Sequence, residues 1–300
     1  MGGLGNQLFQ VFTMLAYSLD TGRKIEINHQ PIAVGHRKTT YWHTLLRPLE
    51  KCLRPVKRHT HHYYEPHFYY TPLPRHLKDE AIALHGYFQS FLYFEKHKET
   101  LFRHLKIKET QQIMNARSHT RYPFATAIAM HFRVGDYAHQ PQNHPLMPLQ
   151  YYQKALTKML HEPVGSPSLT EQSPTTSGVR GQSPPGVRGQ SPPQSPLHVV
   201  YFYEAQDEQY VQHMVKQLQV QFPDLKFLPI DHVYSDWEQL IIMSLCEQGH
   251  IIANSTFSWW GAFLSSSLSP RVCYPHIWFG HNLLHNTKDL FPPQWQRIQF

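Results

Sequence analysis

The chain has 300 residues, 41% of them hydrophobic, which is enough to bury two α/β cores of ordinary size. Its formal net charge of +7 suits an anionic ligand, but no stripe of Lys and Arg interleaved with aromatic residues indicates a nucleic-acid-binding protein. The charge is otherwise weakly diagnostic, because basic surfaces are common.

The amino terminus combines glycines with two amides. Gly2-Gly3-Leu4-Gly5-Asn6-Gln7 leads into an amphipathic helix whose apolar residues recur three and four apart through Leu19. Glycines ahead of a helix let a ligand approach the backbone, and Asn6 and Gln7 offer amide groups there. No strand precedes these glycines, and no Walker or G-x-G-x-x-G pattern is present, so this segment alone is weak evidence for phosphate binding.

The following part of the chain is rich in histidine and aromatic residues. Tyr87 to Phe94 is predicted as a helix, and buried aromatic residues in helices more often form core than a cofactor site. Four histidines stand near one another without an HExxH or Cys/His framework, so exposed side chains are expected here and no metal: His59, His61, His62 and His67.

A buried strand followed by charged residues is predicted at Ala125 to Phe132, which is apolar without alternation. His131 and Arg133 lie two apart and project together from its carboxyl end, where open α/β sheets hold their ligands. Gly135 allows a turn toward Asp136. The guanidinium of Arg133 matches a diphosphate and keeps its charge. The alternative is an Arg133–Asp136 surface ion pair, which contributes only about 0–1 kcal/mol.

A compositional break follows the helix predicted at Tyr151 to Leu160. Pro163 to Pro196 is rich in Ser, Pro, Gly and Gln and repeats GVRGQSPP from Gly178 and again from Gly186. Such a segment buries too little apolar area to offset its ordering entropy, so it is predicted to be a disordered insertion.

Strands and helices then alternate, which predicts a parallel, Rossmann-like sheet. The predicted elements are strand Leu197–Tyr203, helix Gln206–Leu218, strand Leu225–Leu228, helix Trp237–Cys246 and a strand at Ile251. Glu238 stands at the start of the fourth of these elements. It is interpreted as a solvated helix-start acid, with a contact to nucleotide or acceptor as the weaker alternative.

The segment IIANSTFSWWGA passes from a buried strand through small polar residues into an aromatic helix. Asn254, Ser255 and Thr256 are natural helix-start residues, and a phosphate at such a start gains hydrogen bonds and the favourable end of the helix dipole. Trp259 and Trp260 are large enough to wall a cavity or stack on a ring. A capped helix with a tryptophan core is the equally weighted alternative. Glycosylation at the Asn254 sequon is disfavoured by the strand-loop-helix setting.

The sequence also bears on the compartment. Cys52, Cys246 and Cys273 are too few, and odd in number, for a disulfide scaffold, which favours a reducing compartment. No stretch approaches the roughly 18 apolar residues of a membrane span, and no secretory signal opens the chain. A soluble, cytoplasmic protein is therefore expected.

Together these segments resemble the α-1,2-fucosyltransferase family (glycosyltransferase family 11), whose members share H-x-R-x-x-D and N-S-T-x-S-W-W motifs. The matching segments follow the family's order over nearly the whole chain: GGLGNQLFQ at Gly2–Gln10, HGYFQSFLYF at His85–Phe94, HFRVGDY at His131–Tyr137, and IIMSLC with IIANSTFSWWGAFL at Ile241–Leu264. The resemblance implies a GT-B-like fold, with two Rossmann-like domains and the donor cleft between them. Residues 1–119 would form the acceptor-side domain, and residues 120–300 the GDP-fucose-binding domain that the insertion 163–196 interrupts.

The function that the resemblance implies is a galactoside α-1,2-fucosyltransferase. It would transfer L-fucose from GDP-fucose to a terminal galactose of a glycan, with inversion and without a required metal or other cofactor. Arg133 matches the arginine that holds the donor's β-phosphate, while His131 and Asp136 are the first and last residues of its motif and candidates for the general base. The implied donor-binding residues are Arg133, Asn254, Ser255, Thr256, Phe257, Ser258, Asn6 and Gly5.

One position departs from the family pattern. Many members carry a second arginine where this chain has Val134, so one positive charge is missing from near the diphosphate or from the structural network of the motif. The alternative function is a catalytically weak or inactive glycan- or nucleotide-binding protein of the same fold, and a third hypothesis is a scaffold acting through Pro163–Pro196. Because animal members of the family are Golgi membrane proteins, a chain lacking its amino-terminal anchor is the alternative to a cytoplasmic one.

Overall fold

A computed structural model of the protein describes residues 2–28, 40–54, 60–75, 81–161 and 197–300. The predicted insertion Pro163–Pro196 and the residue His59 lie outside these ranges. The described part of the chain folds into α-helices and mostly parallel strands, which confirms the predicted α/β class.

Seven α-helices are found in the described residues: α1 Leu4–Thr21, α2 Lys98–His104, α3 Ile107–Ser118, α4 Leu149–His161, α5 Glu208–Gln221, α6 Asp236–Ser244 and α7 Thr256–Phe263. Ten strands accompany them: β1 Ile27–Asn28, β2 Leu53–Arg54, β3 Thr60–Tyr64, β4 Ala81–His85, β5 Ala127–His131, β6 His198–Phe202, β7 Lys226–Pro229, β8 Gly249–Ile251, β9 Val272–Pro275 and β10 Gln296–Ile298. The strands and helices predicted after residue 120 are therefore confirmed, with boundaries that differ by a few residues.

Six strands form one parallel sheet in the order β10-β9-β8-β5-β6-β7. The central strand β5 pairs with β6 on one side, where Ile128 is opposite Val199, and with β8 on the other, where Met130 is opposite Ile251. The chain runs from β5 outward through β6 to β7 and then returns to β8 on the other side of β5. Ligands of open α/β sheets bind in the crevice at such a reversal of strand order.

Helices cover both faces of the sheet. Since crossovers between parallel strands are right-handed, α4 and α5 lie on one face and α6 and α7 on the other. Strands β5 and β8 are buried along their whole length, which explains why their sequences show no alternation of polar and apolar residues.

The described residues of the first half form two separate parallel pairs, β1 with β2 and β3 with β4. The helices α1 and α3 of this half pack on α7 and α6 respectively, so they share the core that lies under the six-stranded sheet. The division at residue 119 stays a prediction.

The helix predicted at Tyr87–Phe94 is wrong for most of its length, because the structure has only a single 3-10 turn at Phe91–Tyr93. The backbone before that turn is not helical: Phe88 has a φ of 52°, in the left-handed region. The carboxylate of Glu65 accepts hydrogen bonds from the N–H groups of Tyr87 (2.8 Å) and Phe88 (3.0 Å) and holds this conformation. The prediction that these aromatic residues are core is confirmed for Phe88, Phe91, Tyr93 and Phe94.

An aromatic cluster joins α1 to α7 and consists of Phe9, Phe12, Phe94, Trp259, Trp260 and Phe263. The ring centroids of Phe9 and Trp259 lie 4.5 Å apart, and those of Phe12 and Trp260 lie 4.4 Å apart. The two tryptophans are fully buried, and the indole N–H of Trp259 donates to the carbonyl of Leu290 at 2.9 Å. They form a tryptophan core, which was the alternative to a cavity wall.

Two further findings concern the described residues as a whole. None of their helices is long and apolar enough to cross a lipid bilayer. No disulfide bond is found in them: Cys246 and Cys273 are buried, and Cys52 is half-buried.

The aromatic cluster predicts a large stability effect for Phe12→Ala. Phe12 is fully buried against three other rings, so its truncation leaves a cavity and is expected to lower the free energy of unfolding by about 3–5 kcal/mol. Urea denaturation measures the change. Val220→Ala is the control, because Val220 is 84% exposed and a surface change of this kind is expected to stay within about 0.5 kcal/mol. Equal effects of the two substitutions would contradict the importance of the cluster.

Candidate donor-binding site

The candidate site lies where the chain leaves β5 and β8, at the reversal of strand order. Parallel neighbouring strands bring the residues that follow them to the same edge of the sheet. Because His131 is opposite Phe202 and Met130 is opposite Ile251, the same register carried past the strand ends places Arg133 between Glu204 and Asn254.

Arg133 is held by two carboxylates. One terminal nitrogen, Nη1, donates to Glu204 Oε1, and the other, Nη2, donates to Asp136 Oδ1. The guanidinium also lies over the ring of Tyr137, with Cζ 4.8 Å from the ring centroid. The predicted ion pair with Asp136 exists, and it joins a side chain that is only 11% exposed, that of Arg133, to one that is 63% exposed, that of Asp136. Glu204, the other partner of Arg133, is 31% exposed.

The charge of Arg133 is secure. Burial alone lowers the pKa of this guanidinium, but Glu204, Tyr137 and Asp136 outweigh that effect and raise its pKa above the ordinary value. A permanent cation therefore stands at the edge of the sheet, and its donors hydrogen-bond Glu204 and Asp136.

The turn after β5 depends on Gly135. Its φ of 37° is in the left-handed region, and a Cβ at this position would lie 2.9 Å from Glu204 Oε2. Its N–H donates to the carboxylate of Asp207 at 2.9 Å. Burial raises the pKa of Asp207, although that hydrogen bond opposes the change. The side chain of Val134 packs against the core, so a residue at this position is directed partly away from solvent.

The start of α7 is built by the polar residues that follow β8. Ser255 is the residue before the helix, and its hydroxyl accepts from the N–H of Phe257 at 3.3 Å. The amide of Asn254 donates to the carbonyls of Pro145 (2.9 Å) and Trp278 (3.2 Å), while its Oδ1 is buried without a hydrogen-bond partner.

The amino terminus of α1 meets that of α7. A Cβ on Gly5 would lie 2.5 Å from the carbonyl oxygen and 2.6 Å from the hydroxyl of Thr256, so only glycine permits this approach. The hydroxyl of Thr256 donates to Asn6 Oδ1 at 2.9 Å, and the amide of Gln89 donates to the same oxygen at 3.1 Å. The sequence predicted the polar residues of both helix starts, and the structure brings them into contact.

Two adjacent helix starts and a cation favour an anionic ligand. Each helix start contributes about 0.3–1 kcal/mol to an anion near the surface, and neither α1 nor α7 has an acidic residue in its first turn to compete. Arg133 stands at the same edge of the sheet and is tied to the α7 start through Tyr137, whose hydroxyl donates to the carbonyl of Asn254 at 3.2 Å. The arrangement is suited to a phosphate or diphosphate.

The two candidates for the general base differ in their surroundings. His131 is 5% exposed, and burial, helped by the charge of Arg133, lowers its pKa to about 3. A neutral imidazole so reluctant to bind a proton is a poor base, so the geometry disfavours His131 for proton abstraction. Asp136 is exposed and lies at the rim of the site, which leaves it the better placed of the two.

Three further candidate residues lie apart from the contact between the two helix starts: Ser258, Phe257 and Glu238. The hydroxyl of Ser258 is buried and donates to the carbonyls of Ala253 and Ser255, which stabilises the turn into α7. Phe257 is half-buried, with its ring 5.5 Å from that of His131.

Glu238 serves the start of α6. It accepts from the N–H (2.9 Å) and hydroxyl (2.8 Å) of Ser235, forms an ion pair with Arg117 (2.6 Å), and is thus engaged in a capping box. Burial alone raises the pKa of Glu238, but these hydrogen bonds and the Arg117 charge lower it overall. These contacts favour the helix-start interpretation of Glu238, but the side chain is not solvated as predicted, because it is only 13% exposed.

Sequence reasoning missed Glu204, Asp207 and Gln89. Glu204 stands two residues after β6, as Arg133 stands two residues after β5, so knowledge that these strands are neighbours would have identified it. Gln89 lies in the segment that was predicted to be helical.

The described histidines of the predicted cluster are exposed, as expected: His61, His62 and His67. No group of three or more His, Cys, Asp or Glu side chains in the described ranges has a metal-binding arrangement. Within this cluster, His62 Nδ1 lies 2.8 Å from Nε2 of His85.

Two bacterial proteins are similar to the chain over nearly its whole length. An O-antigen biosynthesis glycosyltransferase of Escherichia coli, WbnK, is 23% identical over 344 aligned positions that cover 98% of this chain and 97% of the relative. An α-1,2-colitosyltransferase of Escherichia coli is 23% identical over 327 positions that cover 99% and 97%. No protein-family model matches the chain, and no solved structure matches it at a significant level. Both relatives bear the names of glycosyltransferases.

The contact between the two helix starts predicts that Gly5→Ala weakens anion binding. The added methyl group must push the start of α1 away from Thr256, so an affinity for GDP measured by isothermal titration calorimetry is expected to fall roughly tenfold or more. Leu19→Ala, a change at the exposed far end of α1, is the control and is expected to leave the affinity unchanged. Unaltered GDP binding in a folded Gly5→Ala variant would contradict the assignment of this contact to the site.

Proposed function

We propose that the protein is a glycosyltransferase that transfers L-fucose from GDP-fucose to a terminal galactose of a glycan, forming an α-1,2 linkage with inversion. The two full-length relatives support the general class, since both are named as glycosyltransferases. One of them is named for transfer of colitose, an analogue of fucose, through an α-1,2 linkage. The motifs that resemble the fucosyltransferase family support the finer assignment.

The observation that carries the proposal is the position of Arg133. This buried, permanently charged guanidinium stands at the reversal of strand order, at the sheet edge from which α7 starts. The diphosphate is the part of a sugar donor that such a site fits, because pairs of its oxygens can accept parallel hydrogen bonds from a guanidinium and it carries two negative charges. Arg133, Asn254, Ser255, Thr256, Asn6 and Gly5 form the proposed donor-binding group.

In the proposed reaction, the acceptor hydroxyl oxygen bonds to the anomeric carbon of fucose as the bond from that carbon to the diphosphate breaks. The electron pair of the broken bond leaves on GDP, where Arg133 and the helix starts stabilise the growing negative charge. The acceptor hydroxyl loses its proton to Asp136 or to a water molecule. We propose no metal ion in this step, since Arg133 would supply the positive charge that stabilises the leaving group.

We further propose a GT-B-like arrangement, in which residues 1–119 hold the acceptor and residues 120–300 hold the donor. The support is that Asn6 and Gln89, from the first half, meet Thr256 from the second. A donor at the edge of the six-stranded sheet would then face residues of both halves.

The proposal predicts that GDP release from GDP-fucose depends on a galactose-terminated acceptor, survives EDTA and collapses in Arg133→Ala. Loss of the cation removes stabilisation that exists mainly in the transition state, so kcat is expected to fall by about a hundredfold or more. The matched control is Arg103→Ala, because Arg103 is an exposed arginine at the end of α2.

Three outcomes of this assay distinguish the alternatives. Release that needs no acceptor, or that EDTA abolishes, contradicts the proposed reaction. Binding of GDP-fucose without turnover by the wild type favours the inactive glycan- or nucleotide-binding protein. If the wild type neither binds nor turns over GDP-fucose, both the enzymatic function and the binding function are contradicted.

A further inference from the structure

Three stacked rings lie exposed at the carboxyl ends of β3 and β4. The ring centroids of Tyr64 and His85 are 4.6 Å apart with planes at 19°, and those of His62 and His85 are 5.0 Å apart with planes at 26°. Tyr64 is 67% exposed, and both histidines are exposed as well. Tyr87, 45% exposed, follows two residues after His85. We call these four residues the aromatic platform.

The platform is held in place by the strands beneath it. The register of β3 and β4 sets Tyr64 directly opposite His85, and His62 lies on the same face as Tyr64 because it is two residues earlier. The His62 Nδ1 and His85 Nε2 atoms lie 2.8 Å apart, which is a hydrogen-bond distance. The rings of His62, Tyr64 and His85 are therefore ordered before any ligand binds, and a ligand gains contact area at a small cost in side-chain entropy.

A chain of hydrogen bonds connects the platform to the candidate donor-binding site. The carbonyl of Gly86, directly after His85, accepts from the side-chain amide of Gln10 at 2.8 Å. Three residues further on, Gln89 donates to Asn6, which also contacts Thr256. Since Asn6 and Gln10 are one helical turn apart on α1, about 6 Å along its axis, the platform stands beside the donor-binding group.

The backbone between platform and donor site is fixed by Glu65. Its carboxylate accepts from the N–H groups of Tyr87 and Phe88, and its own N–H donates to the carbonyl of His85 at 2.7 Å. The distance between the rings and Asn6 is thus set by hydrogen bonds of the loop.

The chemistry of the platform fits a neutral sugar ring. Aromatic rings offer a flat apolar face to the C–H groups of a sugar, while the Tyr64 hydroxyl and the imidazole nitrogens offer hydrogen bonds to its hydroxyl groups. The four side chains include no lysine or arginine, so they lack the permanent positive charge that attracts an anionic lipid or the phosphate backbone of a nucleic acid. Four side chains are also far fewer than the roughly 20–30 residues that each partner of a stable protein–protein interface contributes.

We propose that the aromatic platform, His62, Tyr64, His85 and Tyr87, binds the galactose ring of the acceptor glycan. This inference rests on the proposed function, and it assigns the acceptor subsite within it. The platform positions the acceptor hydroxyl toward a donor that lies between Asn6 and Arg133.

The test compares Tyr64→Ala with Tyr64→Phe, which keeps the ring. Lactose serves as the acceptor probe, with GDP-fucose as the donor. Removal of the ring is expected to raise the KM for lactose about tenfold, whereas Tyr64→Phe stays within about threefold of the wild type. The affinity for GDP, measured by calorimetry without lactose, is expected to stay within twofold in both variants. Tyr210→Ala, which removes a tyrosine that is 40% exposed on α5, is the control.

A direct readout separates failure of this inference from failure of the proposed function. Saturation-transfer NMR measures lactose binding to the wild type in the presence of GDP, with no need for turnover. A lactose signal that disappears in Tyr64→Ala supports the platform even when the wild type transfers no fucose. A wild type that transfers fucose while Tyr64→Ala leaves the lactose KM unchanged overturns the platform alone. The platform is also overturned when Tyr64→Ala lowers the affinity for GDP as much as it raises the KM for lactose, because the residue would then act on the donor.

Discussion

The packing of α1 across α7 is the constraint on which the candidate site depends. The two helices are joined by the aromatic cluster, in which Phe9 and Phe12 of α1 lie against Trp259 and Trp260. Each such ring pair contributes about 0.5–1.5 kcal/mol beyond the burial of its area. Because these rings fix how far the helices slide past one another, the starts of α1 and α7 meet where Gly5 leaves room for Thr256. Trp259 and Trp260 thus support the site from the core, where both are fully buried.

The electrostatics of the site follow from strand order. Arg133 is drawn into place by Glu204 on one side and Asp136 on the other, and the cation would be costly at this depth without them. A guanidinium that is already oriented needs little rearrangement when a diphosphate arrives. The same two carboxylates also offset the positive charge of Arg133. The starts of α1 and α7 therefore supply part of the attraction for an anion.

The sequence predicted the elements whose signal is local. Unbroken apolar runs identified β5 and β8, and spacing within one strand placed Arg133 at the edge of the sheet. Glu204 was missed because its role depends on which strands are neighbours, and the local pattern does not contain that information. The helix predicted at Tyr87–Phe94 failed for a similar reason: Glu65, 22 residues before Tyr87, holds the backbone in a left-handed conformation that the aromatic residues themselves do not indicate.

If Arg133 and the starts of α1 and α7 form one diphosphate site, as we propose, the protein should distinguish GDP from guanosine. Both ligands present the same base and ribose, so the ratio of their dissociation constants isolates the diphosphate. We expect the wild type to prefer GDP by roughly a hundredfold, since charge-assisted hydrogen bonds contribute about 1.5–3 kcal/mol each. In Arg133→Ala, calorimetry is expected to show a ratio that falls by at least about tenfold. An equal ratio in the variant and the wild type would show that Arg133 does not bind the diphosphate.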